Sequence, residues 1–171
     1  MTTATTPRFF VAVPTREGAH GIFGIGRTPD QALDEAWKGT NQGTDRPTDC
    51  GFEAIPATER LFIYVERHSP DAGFRPVTNA AGLQDLDVDG DLLAGIVAEV
   101  DQGFDGCTTQ HEWKAEDALT SASAYVDAYV ADDESVDEEL RDALEDPQMR
   151  VAADLAVRDL ILETISELAA A

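Results

Sequence analysis

The segment DLDVDGDLLAGI, Asp85 to Ile96, sets Asp85, Asp87 and Asp89 at alternate positions ahead of Gly90. That is the spacing at which carboxylate oxygens surround calcium in a twelve-residue loop, and Leu92 falls where such a loop carries an apolar residue. The twelfth position should bring a bidentate Glu and is Ile96, with Glu99 three residues too late. The preceding RPVTNAAGLQ, with Pro76, Asn79 and Gly82, is a poor helix, whereas a calcium loop needs one there. The segment is therefore expected to be a turn in which Asp and Gly serve the backbone. A weak calcium-binding module stays open as an alternative.

Other reactive side chains are few. Cys107 and His111 in CTTQH have ligand-like spacing, and Cys50 with His68 would complete a tetrahedral zinc set, but those two are eighteen residues apart and form no compact knuckle. Neither Cys stands in a recognisable acid–His or oxyanion motif, so no Cys–His nucleophile is expected. The glycines of HGIFGIG run G-x-x-G-x-G, the reverse of the dinucleotide-binding order, and Gly26 reads as the strand-to-helix turn. No catalytic residues, no metal site and no cofactor are expected, and the protein is read as a non-enzyme.

What stands out is charge. Thirty-four acids oppose twelve bases across 171 residues, a formal net charge of −22. Residues 1–79 are nearly balanced, ten acids against eight bases, whereas residues 80–146 carry twenty acids against Lys114 and Arg141. Within DDESVDEELRDALED the acids are Asp132, Asp133, Glu134, Asp137, Glu138, Glu139, Asp142, Glu145 and Asp146. On a continuous helix they would give about one charge per 2.5 Å of axis, against about 1.7 Å in duplex DNA. Glu134, Glu138 and Glu145 would then recur on one side. A salt-adapted surface is the competing explanation, but it should acidify the whole chain rather than one block.

These side chains need elements to hold them. Arg8 to Gly26 reads as a β-hairpin, RFFVAVPT and GIFGIG around a turn. RTPDQALDEAWKG reads as a helix capped by Thr28, opened by Pro29, striped by Ala32, Leu33, Ala36 and Trp37, and stopped at Gly39. Thr58 caps a second helix with Leu61, Phe62 and Val65 buried, and FRPVT is an edge strand because Pro76 cannot donate to a ladder. Helices are expected from Glu116 to Ala131, after a Ser135 cap with Val136, Leu140, Ala143 and Leu144 inward, and from Pro147 to the end. The last has Val151, Leu155, Leu162, Ile165 and Leu168 on its apolar side, through which two copies could pair. The fold class is α+β: a hairpin-plus-helix unit over 1–79 and an acidic helical part over 80–171, packed as one domain. MTTATTPR lacks a basic and then apolar leader, and no apolar run reaches membrane-spanning length, so a cytoplasmic protein without membrane contact is expected. Cys50 and Cys107 imply no disulfide framework.

In its charge character, carried by Asp85 to Asp146, the chain resembles the acidic DNA-mimic anti-defence proteins of phages and plasmids, of anti-restriction and anti-CRISPR type. That resemblance implies a non-enzymatic inhibitor that occupies the basic nucleic-acid channel of a host protein or ribonucleoprotein complex and does not itself bind nucleic acid. The expected partner-binding residues are Asp85, Asp87, Asp89, Asp91, Asp132, Asp133, Glu134, Asp137, Glu138, Glu139, Asp142, Glu145 and Asp146. Separately, RFFVAV and HGIFGIGRTPDQALDEAWKG are similar to the start of HicB-like antitoxin domains, which implies the hairpin-then-helix arrangement. A halophilic α+β protein remains the alternative.

Overall fold

The computed structural model describes residues 8–40, 45–68, 76–102, 113–132 and 137–170. The described elements are β1 (Phe9–Pro14), β2 (Gly24–Gly26), α1 (Pro29–Thr40), β3 (Phe52–Ala57), α2 (Glu59–His68), β4 (Val77–Thr78), β5 (Gln84–Asp85), α3 (Gly90–Gln102), α4 (Ala118–Ala131), α5 (Glu138–Ala143) and α6 (Pro147–Ala170). The fold is α+β: all five strands lie before Asp87, interleaved with α1 and α2, and the rest of the described chain is helical. Two compact units divide the chain, Met1–Asp87 and Val88–Ala171.

The first unit is a five-stranded sheet of order β2-β1-β3-β5-β4. β1 pairs antiparallel with both β2 and β3, as Val11↔Ile25 and Val11↔Ile55 show, and β5 runs parallel to β3. β4 lies at the edge, where Pro76 had placed it. Side chains alternate across β1. Phe10 and Ala12 meet Ala32 and Ala36 of α1, while Phe9 turns the other way and packs its ring 4.8 Å from that of Phe62 on α2. The hairpin, both helix starts and the edge strand follow the sequence reading; β3 and β5 do not appear in it. Pro56 stands inside β3. The Thr58 N–H donates to the Gln84 carbonyl, so two residues earlier the Pro56 nitrogen points to the same flank, beyond the single Ala57↔Gln84 pairing, where no ladder bond is lost.

The glycines of HGIFGIG have a different cause from the one expected. A Cβ on Gly24 would lie 2.2 Å from the Ala32 carbonyl oxygen and 2.6 Å from the Ala36 nitrogen, and one on Gly26 would lie 2.5 Å from the Ala32 nitrogen. Both residues are extended strand, and both are glycine because α1 lies backbone to backbone on β2, with Ala32 and Ala36 completing the close approach. Helix and edge strand are also tied by side chains: Ile25 N–H donates to Glu35 Oε2 and Arg27 N–H to Gln31 Oε1. These contacts occupy donors that a free edge would offer to another strand. α1 is capped by Thr28, whose Oγ1 accepts from Gln31 N–H, and continues one residue past Gly39.

The second unit is helical. Ile96 and Val100 of α3, Ala118, Ala122 and Val126 of α4, Leu144, and Met149, Ala153, Val157 and Ile161 of α6 form one buried cluster. α3 was not anticipated, because the Asp and Gly at its start read as a turn. Asp89 explains it: Oδ1 accepts from Asp91 N–H at 2.9 Å and Leu92 N–H at 3.1 Å, an N-cap, with Gly90 as the first helical residue. The second half of the supposed calcium loop is thus helix, and Ile96 is core at zero exposure.

Two further readings are corrected. α5 is capped by Asp137, whose Oδ1 accepts from Glu139 N–H at 2.9 Å, and not by Ser135, which lies with Val136 outside the described residues. α6 has no single apolar stripe. Residues Met149, Val151 to Leu155, Val157 and Ile161 are all buried, so the helix is enclosed round most of its circumference, and Leu168 on the expected stripe is 45% exposed.

Candidate interaction surface

The expected site residues fall on both units. Asp85 belongs to β5 and serves the fold there: its Oδ1 accepts from Thr58 Oγ1 at 3.1 Å and from Leu86 N–H at 2.8 Å, while Thr58 Oγ1 accepts from Leu61 N–H. The α2 cap is therefore held by a carboxylate one step further out. Asp87 and Asp91 are exposed, the latter in the first turn of α3 beside the capping Asp89. A negative charge there meets the positive end of the helix dipole.

Asp137, Glu138, Glu139, Asp142, Glu145 and Asp146 are all exposed, on or next to α5. Asp146 is also the N-cap of α6, accepting from Gln148 N–H at 3.0 Å. Asp132 ends α4, and its carbonyl accepts from Arg141 Nη2 at 3.2 Å. Asp133 and Glu134 lie outside the described residues, as do Cys107 and His111. The charge ladder expected along one continuous helix is not formed, since α5 has six residues and Glu145 lies beyond its C-cap, Leu144. The acids instead form a short helix flanked by two capping aspartates.

The arginines of the second unit, Arg141, Arg150 and Arg158, are half-buried. Arg150 is the residue that sequence reading missed. Its Nη2 donates to Asp127 at 2.6 Å, to the Ser123 carbonyl at 3.1 Å and to Ser123 Oγ at 3.2 Å, and its Nε to Asp154 at 3.0 Å. Asp154, at 2% exposure, is the one buried charged residue among those described. Burial pulls the Arg150 guanidinium down, but its bonds to Asp127 and Asp154 outweigh that and leave it above its ordinary value. Arg158 Nη2 pairs with Asp159 at 3.0 Å. Of the four bases between 88 and 171, only Lys114 is exposed, against twenty-two acids.

A groove of about 430 Å³ opens between α3 and α4, lined by Glu99, Val100 and Gln102 on one side and by Tyr125, Ala128, Tyr129 and Asp132 on the other. Tyr125 is held by Trp113, whose Nε1 donates to its hydroxyl at 3.1 Å, with the two rings edge to face. The Tyr129 hydroxyl is buried and has no hydrogen-bond partner among the described residues. Burial, and then the charges of Glu99 and Asp137, push its ionisation above the ordinary tyrosine value, with Arg141 opposing.

Among the described residues no three His, Cys, Asp or Glu side chains converge as a metal ion would require, and no helix is long and apolar enough to cross a membrane. No protein-family model matches the chain, and no curated protein and no solved structure matches it.

Proposed function

We propose that this chain is a non-enzymatic acidic inhibitor that occupies the basic nucleic-acid channel of a host defence complex, acting in the cytoplasm as a mimic of DNA. One observation carries the reading: the second unit turns its arginines onto its own carboxylates and carbonyls and leaves the acids of α5 facing out. A surface of this kind repels itself within a Debye length of about 8 Å, so its concentration on one unit costs stability that a basic partner would return. Salt adaptation does not explain why residues 1–87 hold twelve acids against eight bases while residues 88–171 hold twenty-two against four.

The test is capture from a bacterial lysate by the wild-type protein and by the triple variant Glu138→Lys, Glu139→Lys, Asp142→Lys, side by side. All three side chains are exposed, so the variant should fold. The wild type should retain a nuclease, repressor or nucleic-acid-guided complex that the variant loses. Equal recovery by both, or recovery of no nucleic-acid-handling protein, would leave the acids as a solvated surface.

A further inference from the structure

We infer that the groove between α3 and α4 receives an arginine side chain of the basic partner, its guanidinium laid against the tyrosine rings and paired with Glu99. This rests on the proposed reading for the source of the arginine, and on the groove alone for its chemistry. Glu99 is half-buried and makes no hydrogen bond or ion pair among the described residues, so its carboxylate is open to a cation entering the groove. Tyr125 and Tyr129 supply aromatic surface beside it, and Tyr125 is fixed in place through Trp113. None of the described residues lining the groove is basic. The neighbouring Arg141 donates to the Asp132 carbonyl, and at Tyr129 its charge opposes those of both Glu99 and Asp137, so two carboxylates stand against one cation there.

Carboxylate and aromatic ring together select guanidinium over ammonium. The guanidinium is planar, stacks on a ring while donating in its plane, and is less strongly hydrated, so it loses less on entering a half-apolar groove. A lysine ammonium would reach Glu99 but stay tied to water. The same groove would accept the arginines with which nucleic-acid channels hold phosphates.

The full chain, labelled with ¹⁵N, is titrated in low-salt buffer with a terminally blocked Gly-Arg-Gly tripeptide and with its Gly-Lys-Gly counterpart. Amide shifts should concentrate at 99–102 and 125–132, and the arginine peptide should bind about threefold or more tighter than the lysine peptide. Glu99→Gln, which keeps shape and removes charge, should weaken arginine binding about fivefold, whereas Glu138→Gln on exposed α5 should change it less than about twofold. An unchanged amide spectrum elsewhere shows that Glu99→Gln has folded. Shifts spread over the acidic surface, no preference between the peptides, no shift with either, or a Glu99→Gln titration like the wild type would each overturn the inference. No host protein enters this titration, so a lysate capture that fails beside a groove that binds would count against the mimic and not against the groove.

Discussion

Tyr129 and Arg150 show how differently two half-buried polar groups bear on this fold. The Tyr129 hydroxyl is buried without a hydrogen-bond partner among the described residues, so Tyr129→Phe removes an unsatisfied group and keeps the ring; it should leave stability unchanged or raise it by about 1 kcal/mol in urea unfolding. The same residue sets an alkaline limit. Its folded-state ionisation is raised, first by burial and then by Glu99 and Asp137, while Arg141 opposes, so the unfolded chain loses that proton first as pH climbs past about 10. Wild type should therefore lose stability above that pH relative to Tyr129→Phe, and parallel curves would contradict the burial of the hydroxyl. Arg150→Met is the opposite case. It leaves Asp154 buried and Asp127 unpaired, which should cost about 3–5 kcal/mol, read as a fall in urea midpoint with unchanged slope. Neither residue announces itself in sequence. Arg150 looks like any helical arginine until Ser123 and Asp127, more than twenty positions away, are brought against it.

At the level of elements, legibility depended on whether the signal was local. Thr28 with Pro29, and Thr58 ahead of Leu61 and Phe62, are caps written in adjacent residues, and α1 and α2 begin there. Gly24 and Gly26 were visible but their cause was not, because it lies in Ala32 and Ala36 on the facing helix. β3 went unread, and its Pro56 is harmless because β5 begins only at Gln84. α3 was hidden by its own cap: Asp85, Asp87 and Asp89 looked like ligands or turn, while in the fold Asp89 bonds the first α3 amides. Asp89→Ala should accordingly cost about 1 kcal/mol and leave the protein's response to calcium unchanged, and a calcium-dependent rise in melting temperature lost in this variant would restore the loop reading. Of the candidate surface, the acids could be read directly from sequence. Which of them cap helices, and that they flank a six-residue helix instead of lining a long one, needed the fold.

For the molecule as a whole, the division of charge is the feature to be explained: near balance up to Asp87 and a net −18 beyond it. If the acids serve binding, the protein should be folded in low-salt buffer and gain modest stability, about 1 kcal/mol, as added salt screens the repulsion. Circular dichroism showing an unfolded chain below molar salt would instead support halophilic adaptation. The central claim is that this surface stands in for nucleic acid, and it is met most directly by a competition measurement on the complex captured from lysate. Immobilised wild-type protein carrying its partner is challenged with short duplex DNA at fixed, low ionic strength, with an uncharged polymer as control. The account predicts that DNA releases the partner in proportion to its concentration and that no surface-bound ternary complex forms. Stable binding of DNA to the partner while it remains held by this protein would contradict it.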